Sequence, residues 1–244
     1  MKTALITGAT SEIGIAISKV LASNNINIII HYNTKEDIAK SLKEELENTY
    51  KIECLTIKAD LTNEDEINNL YNKSMERFNK IDILINNAAL DKPNIFDNKN
   101  KSDFMEILDV NLVAPFLLSK LVGNQMVKNN YGKIINIAST NGIDTNFPMC
   151  LDYDASKAGL ISLTHNLALQ FKPVVNVNAI APGSIYTKKD YENMDLEYIK
   201  EEESKIYKER FGKPEEIAYL AEFLVNDKSD YINNQVIRID GGMY

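Results

Sequence analysis

Tyr153 and Lys157 are the residues of this sequence with the clearest potential for chemistry. They stand four residues apart, so on a helix their side chains share one face. An ammonium beside a phenol favours the phenolate and lowers the tyrosine pKa from its usual value of about 10. The pair therefore predicts a general acid/base. Taken alone, the spacing is also expected of an exposed lysine beside a half-buried tyrosine, because the chain contains 12 tyrosines and is rich in lysine.

The elements that must position this pair follow from an alternation of short apolar runs and amphipathic stretches. Seven runs lack polar alternation, which is typical of strands buried on both faces, and they cover residues 4–6, 26–30, 55–57, 81–85, 134–137, 174–180 and 236–239. Between them apolar residues recur at helical spacing, as at Ile13, Ile17 and Leu21. This repetition predicts one α/β domain over residues 1–244, doubly wound, with a mostly or wholly parallel seven-stranded sheet and helices on both faces.

The composition narrows the class of protein further. The net charge is −8 at pH 7, which disfavours nucleic acid and anionic membranes as partners. Two cysteines and two histidines, with no Cys/His cluster, predict neither a disulfide framework nor a metal site. No apolar run is long enough for a membrane span, and the first residues do not resemble a signal peptide. We therefore expect a cytoplasmic protein.

A glycine-containing segment, TGATSEIG at residues 7–14, lies between the first predicted strand and the first predicted helix. Glycines permit a tight turn there, and the helix N-terminus offers N–H groups and a positive dipole to a pyrophosphate. The segment predicts a dinucleotide site that uses Gly8, Thr10, Ser11, Glu12, Ile13 and Gly14. The alternative is a structural turn made of small residues.

The end of the second strand bears on the kind of dinucleotide. NAD-binding folds usually place an Asp or Glu here for the ribose 2′-hydroxyl, but none is present before Glu36. Asn33, Thr34 and Lys35 could instead donate hydrogen bonds to a 2′-phosphate. We therefore favour NADP(H) over NAD(H), with Tyr32, Asn33 and Thr34 at the cofactor. Alternatively, these residues simply begin a helix and Lys35 is solvated.

Other candidate residues follow the later strands, at the edge where open α/β sheets bind ligands. They are Asp60, Leu61, Asn87, Ala88, Ala89, Ser139, Pro182, Gly183, Ile185 and Thr187. Asn111 falls inside a predicted helix, where asparagine is unfavourable because its amide competes for backbone hydrogen bonds. Each residue alone has an ordinary explanation, as a turn residue or a surface asparagine.

Taken in order, these motifs resemble the short-chain dehydrogenase/reductase family over nearly the whole chain. Residues 7–14 resemble its Thr-Gly-x-x-x-Gly-Ile-Gly turn with Glu12 at the middle glycine, and residues 86–89 resemble its Asn-Asn-Ala-Gly run with Ala89 for glycine. Residues 240–242, DGG, resemble its C-terminal signature. The resemblance implies a Rossmann fold and a nicotinamide-dependent oxidoreductase that interconverts a ketone and a secondary alcohol.

The resemblance also implies a role for each site residue. Tyr153 would protonate the carbonyl oxygen that Ser139 holds, Lys157 would lower the tyrosine pKa and bind the nicotinamide ribose, and Asn111 would hold a relay water. Asp60 and Leu61 would contact the adenine, residues 87–89 the adenosine ribose, and residues 182–187 the nicotinamide. Residues 183–211 are expected to form a mobile lid over the substrate.

Within this family the sequence is most similar to 3-oxoacyl-acyl-carrier-protein reductases, which implies an acyl-thioester substrate and an acyl carrier protein as partner. Asn129 and Asn130 stand where basic residues are common, and Lys128, Lys133 and Lys172 could compensate. A sugar, polyol or other small-alcohol dehydrogenase is the alternative, and a non-catalytic dinucleotide sensor is the alternative of another class. Family members are usually homotetramers that pack through helices near residues 103–128 and 154–171.

Overall fold

Seven strands form one parallel sheet in the order β3-β2-β1-β4-β5-β6-β7 in the computed structural model, which describes residues 1–188 and 195–243. The strands are β1 (Thr3–Ile6), β2 (Asn27–Tyr32), β3 (Cys54–Lys58), β4 (Ile83–Asn86), β5 (Gly132–Ile137), β6 (Val175–Pro182) and β7 (Val236–Ile239). The wholly parallel sheet and the seven predicted strands are confirmed. The strand order reverses between β1 and β4, and ligands bind at the carboxyl side of such a reversal.

Eight described helices connect the strands. They are α1 (Glu12–Ser23), α2 (Glu36–Tyr50), α3 (Glu64–Phe78), α4 (Lys101–Leu108), α5 (Ala114–Lys128), α6 (Leu151–Gln170), α7 (Leu196–Ser204) and α8 (Pro214–Val225). A π-helical turn, Asp109–Val113, joins α4 to α5, and short 3₁₀ turns occupy Phe96–Asn98, Thr140–Gly142, Pro148–Cys150 and Asp227–Ser229. Asn63 caps α3 by accepting from the N–H groups of Asp65 and Glu66.

The helices bury both faces of the sheet. Ile28 and Ile30 belong to a cluster that includes Ile17 of α1, whereas Leu5 and Ile29 belong to a second cluster with residues of α3 and α5. Because successive residues of a strand point to opposite faces, one apolar strand feeds both clusters. Because the strands are apolar and buried on both faces, polar side chains that could form a site are expected at the ends of the strands.

Two connections leave from the carboxyl edge and bear on the site. One covers residues 87–100, between β4 and α4; the other covers residues 183–213, between β6 and α8. Residues 189–194 of the predicted 183–211 lid lie outside the described residues. The described part contains α7, with Ile199 and Glu202 buried. In the part of the chain that the structure describes, no helix has the length and apolarity to cross a membrane.

Candidate active site

A cleft of about 880 Å³ runs along the carboxyl edge of the sheet. The predicted cofactor and catalytic residues that line it are Gly8, Thr10, Ser11, Ile13, Asn33, Thr34, Asp60, Leu61, Asn87, Ala88, Ala89, Ser139, Tyr153, Lys157, Pro182, Gly183 and Ile185. Residues that the sequence did not single out as contacts also line it, including His31, Ile137 and Ala138. All of these flank predicted residues at the ends of strands, which is the signal that could have found them.

The turn at the start of the cleft is held by side chains from neighbouring strands. Gly8 adopts φ +60°, which favours glycine, and its carbonyl accepts from Asn87 Nδ2 at 3.0 Å. The Gly8 N–H donates to His31 Nδ1 at 3.0 Å, and His31 Nε2 lies 3.0 Å from the Ala59 carbonyl. Burial lowers the pKa of His31 to about 4, so the ring is neutral, with its proton on Nε2. His31, a polar residue in an apolar strand, thereby ties β3 to the turn.

Gly14 supports this turn from below. A Cβ at this position would lie 2.5 Å from the Gly8 carbonyl oxygen, so only glycine allows α1 to pack so closely on the turn. The Ser11 hydroxyl accepts from the Gly14 N–H at 3.1 Å and caps the helix. The N-terminus of α1 therefore meets the cleft where a pyrophosphate would be expected.

Glu12, the departure from the family pattern, places its carboxylate away from the cleft. Its Oε1 accepts from the Lys188 backbone N–H at 2.9 Å, on the connection that follows β6. Glu12 is not among the residues that line the cleft. The carboxylate therefore links α1 to that connection.

The end of the cleft beside β2 carries Asn33, Thr34 and Lys35. Tyr32, which we predicted at the cofactor, is only 8% exposed and packs in the core beneath. Asp60 lines the cleft, and its Oδ1 accepts from the N–H and hydroxyl of Thr62 at 2.9 and 2.8 Å. This end of the cleft thus presents amide, hydroxyl and ammonium donors together with the Asp60 carboxylate.

Tyr153 and Lys157 share one face of α6 at the other end of the cleft, as their spacing predicts. The Lys157 ammonium donates to the Ile137 carbonyl at 2.8 Å and lies 5.4 Å from the centre of the Tyr153 ring. Ser139 follows β5 and lines the cleft beside Tyr153. Three groups expected to act together therefore lie together.

The pKa of Tyr153 departs from the sequence expectation. Burial raises the pKa of the phenol; the hydrogen bond with Ser139 opposes this, and the carboxylates of Asp91 and Asp154 add to the rise. The acidification expected from Lys157 is not found, since burial is the largest effect on the phenol; burial also lowers the pKa of the Lys157 ammonium to about 8. At neutral pH Tyr153 is therefore a protonated phenol, the form that can donate a proton to a carbonyl oxygen.

Asn111 lies in the π-helical turn between α4 and α5 and is fully buried. Its amide nitrogen donates to the Leu90 carbonyl at 2.9 Å and to the Ser156 hydroxyl at 3.0 Å, and its oxygen accepts from the Leu90 N–H at 2.7 Å. The side chain thus ties the connection after β4 to α6. Its role in a proton relay stays a prediction.

A smaller cavity of about 340 Å³ adjoins the cleft. The two share Ser139, Tyr153, Gly183 and Ile185 in their walls, so the reacting hydroxyls stand at the junction. The smaller cavity is also lined by Asp91, Thr140, Asn141, Cys150, Thr187, Tyr198 and Glu202. Thr187, predicted at the cofactor, therefore lies on the side expected for the substrate.

A buried ion pair fixes the connection after β4 against the start of α6. Lys99 Nζ lies 2.7 and 2.6 Å from the two carboxylate oxygens of Asp152 and donates to the Lys92 carbonyl at 2.8 Å. The side chain of Lys99 is 7% exposed and that of Asp152 is fully buried. The Tyr153 N–H donates to the same carboxylate at 3.0 Å. The sequence offered no signal for this pair, since its members lie 53 residues apart.

Residues 128–133, which were expected to face a carrier protein beside the site, lie at the opposite edge of the sheet from it. Residues 128–133 precede or begin β5, whereas Ser139 follows it, so they occupy the amino edge of the sheet, opposite the site. Lys133 is buried and its ammonium lies 2.7 Å from Asp230 Oδ1 and 3.0 Å from Asn176 Oδ1. The expectation that Lys133 could supply the basic charge missing at Asn129 and Asn130 is therefore wrong, because its ammonium is buried and paired with Asp230.

Comparison with known proteins shows what the chain as a whole resembles. The family described as short chain dehydrogenase matches residues 2–195. The 3-oxoacyl-[acyl-carrier-protein] reductase FabG of Aquifex aeolicus is 37% identical over 250 residues, covering 100% of this chain and 97% of that protein. Glucose 1-dehydrogenase 2 of Bacillus subtilis is 31% identical, covering 99% and 94%. Among solved structures, acetoin dehydrogenase YohF from Salmonella typhimurium has a TM-score of 0.87 at 29% identity, covering 99% and 96%.

Proposed function

The chain belongs to the short chain dehydrogenase family, and we propose that it is an NADP(H)-dependent oxidoreductase that reduces a ketone to a secondary alcohol. One observation carries the proposal: the protonated phenol of Tyr153 stands with Ser139 at the junction of a long cleft and a small cavity. A cofactor in the cleft and a ketone in the cavity would meet at these hydroxyls.

The side chains that line the cleft fit this cofactor. The N-terminus of α1 suits a pyrophosphate, and the small side chains of Ala88, Ala89 and Gly183 leave room for flat rings and ribose. Asn33, Thr34 and Lys35 are donors suited to a 2′-phosphate, which supports NADP(H) over NAD(H). When bound, the cofactor supplies the hydride, and the protein supplies binding, orientation and proton transfer.

The proton chemistry follows from the positions of three side chains. Ser139 donates a hydrogen bond to the ketone oxygen, and Tyr153 donates its proton to the same oxygen as negative charge develops there. The Lys157 ammonium uses one of its three donors on the Ile137 carbonyl, which leaves others for ribose hydroxyls. In alcohol oxidation the same groups act in reverse.

The first substrate to test is a 3-oxoacyl thioester, because the Aquifex aeolicus relative is named as a reductase of that class. A second candidate is a small hydroxylated ketone or alcohol. It is supported by the small size of the cavity and by the polar residues in its walls, Asp91, Thr140 and Asn141 among them. An acyl carrier protein as partner belongs to the first candidate alone.

Replacing Tyr153 by Phe tests the proposal. The variant should retain NADPH binding, measured by cofactor fluorescence, and lose at least about a hundredfold in turnover, the usual scale for general acid catalysis. Turnover is followed as NADPH absorbance with acetoacetyl thioesters, diketones and small hydroxyketones. Tyr71→Phe, on α3, is the matched control and should leave turnover unchanged.

Two outcomes would contradict the proposal in different ways. Wild-type turnover in Tyr153→Phe would remove the tyrosine from its assigned role. NADPH binding without turnover of any ketone by the wild type would instead favour a dinucleotide sensor.

We also propose a homotetramer that packs through α4, α5 and α6. Apolar side chains on these helices, Phe116 and Leu169 among them, are exposed in the single chain. Association would cover them, and symmetric assembly is common among soluble enzymes. Light scattering that gives the mass of one chain would contradict this assembly.

A further inference from the structure

Asp91 places a carboxylate in the wall of the smaller cavity, in the same wall as Tyr153. The two lysines of its own connection are engaged elsewhere, because Lys92 lies 2.5 Å from Glu106 and Lys99 lies 2.6 Å from Asp152. Among the described residues, the hydrogen-bond donor to Asp91 is the Cys150 thiol, at 3.5 Å. A thiol is a weak donor, so this carboxylate retains most of its capacity to accept hydrogen bonds.

The other carboxylates near the cavity differ from Asp91 in this respect. Glu202 lies 2.6 Å from the Lys205 ammonium. Asp154 accepts from Asn141 Nδ2 at 2.7 Å and from the Phe147 N–H at 3.0 Å. The charge of Asp91 also reaches the reacting phenol, whose pKa it raises. Asp91 is thus the carboxylate beside Tyr153 that has acceptor capacity left for a ligand.

A ligand that fills the cavity removes water from this carboxylate, which is unfavourable unless the ligand donates a hydrogen bond in return. We infer that Asp91 selects ketones that carry a hydrogen-bond donor, a hydroxyl or an ammonium group, beside the reacting carbonyl. The inference rests on the proposed function, because it takes Tyr153 as the proton donor. A plain 3-oxoacyl chain offers only methylene groups there and would leave the carboxylate without a partner.

Three ketones of similar size test the inference: butanone has no donor, hydroxyacetone has a neutral donor, and aminoacetone has a cationic one. With NADPH, the wild type should show a kcat/KM for a donor-bearing ketone at least about tenfold above that for butanone, the scale of a hydrogen bond to a charged group. Asp91→Leu should abolish the preference. Asp91→Asn, which keeps an acceptor without charge, should retain more of it for hydroxyacetone than for aminoacetone.

Asp97→Asn is the matched control, since Asp97 is an exposed carboxylate on the same connection, in the 3₁₀ turn Phe96–Asn98, and does not line the cavity. It should leave the preference unchanged. An equal preference in the wild type and in Asp91→Leu, or a wild type that prefers butanone, would overturn the inference.

A second readout keeps the inference separate from the proposed function. The Tm of the NADPH complex of Tyr153→Phe is measured with each ketone, so that binding is seen without turnover. The inference is supported if the Tm of Tyr153→Phe rises more with the donor-bearing ketones and if this difference is lost when Asp91→Leu is added. This holds even if the wild type turns over none of the three ketones. An equal rise with all three ketones overturns it even if turnover is observed.

Discussion

Breaking the buried ion pair between Lys99 and Asp152 from one side should destabilise this protein far more than breaking an ion pair on its surface. Replacing Lys99 by Met removes the ammonium but keeps most of the apolar stem, and it leaves the fully buried carboxylate of Asp152 with the Tyr153 N–H as its remaining donor among the described contacts. Breaking a buried pair from one side typically costs about 3–5 kcal/mol of unfolding free energy. We expect a loss in this range for Lys99→Met.

The double variant Lys99→Met/Asp152→Asn separates the pair from the loss of a side chain. With both charges gone, no unpaired charge remains buried, so the double variant should recover at least about 2 kcal/mol relative to the sum of the single variants. Lys43→Met is the control, because the Lys43–Glu47 pair is half-exposed, with a distance of 3.9 Å, and should contribute at most about 1 kcal/mol.

The assay is urea unfolding of each variant at one protein concentration, since association of subunits would otherwise shift apparent stability. The same pair also holds the first turn of α6 through the Tyr153 N–H, so turnover should fall in Lys99→Met at temperatures where the protein is still folded. If the free energies of the two single variants add to that of the double variant within about 0.5 kcal/mol, the reasoning about the buried pair is refuted.

Three further predictions follow from other parts of the site. Lys35→Ala should weaken NADPH binding by about tenfold and leave NADH binding unchanged. Lys40→Ala, which removes a surface ion pair with Glu36, should change the binding of neither cofactor. Equal losses of affinity for both cofactors in Lys35→Ala would contradict the 2′-phosphate assignment. Burial lowers the pKa of Lys157 from 10.5 to about 8, so between pH 8 and 10 the unfolded chain binds more protons than the folded chain. Over this pH range the unfolding free energy of the wild type should therefore rise by about 2 kcal/mol relative to that of Lys157→Met. A constant difference between the two proteins would refute the lowered pKa. Gly14→Ala should lower the Tm and the NADPH affinity, because the added Cβ would clash with the backbone of the turn. Gly159→Ala should lower the Tm less, because its Cβ would meet only the end of the Leu112 side chain. A larger loss of Tm in Gly159→Ala would contradict the packing argument.

Periodicity was sufficient to predict the fold, and strand ends together with the family resemblance predicted most of the residues that line the cleft. Uninterrupted apolar runs predicted all seven parallel strands, because burial on both faces leaves a direct mark on composition. The spacing of Tyr153 and Lys157 placed them correctly on one face of α6, since helical geometry depends only on local sequence.

Features that depend on distant contacts were beyond such reasoning. The pKa of Tyr153 is raised by burial and by the carboxylate of Asp91, which comes from another part of the chain, so the sequence of α6 alone does not show it. Tyr32 and Asn33 are neighbours in sequence, yet one packs in the core and the other lines the cleft, because side chains alternate at a strand end. The charge of Lys133 was assigned to the surface because its partner Asp230 lies 97 residues away.

The turn that begins the cleft is held in shape by the protein's own bonds. His31 and Asn87 clamp Gly8 from two neighbouring strands, and Gly14 fills the space beneath. A turn that is preorganised in this way gives up little conformational entropy when a ligand arrives, so more of the contact energy remains as affinity. Structures with and without a dinucleotide should therefore superpose closely here, and the turn should act as a rigid socket.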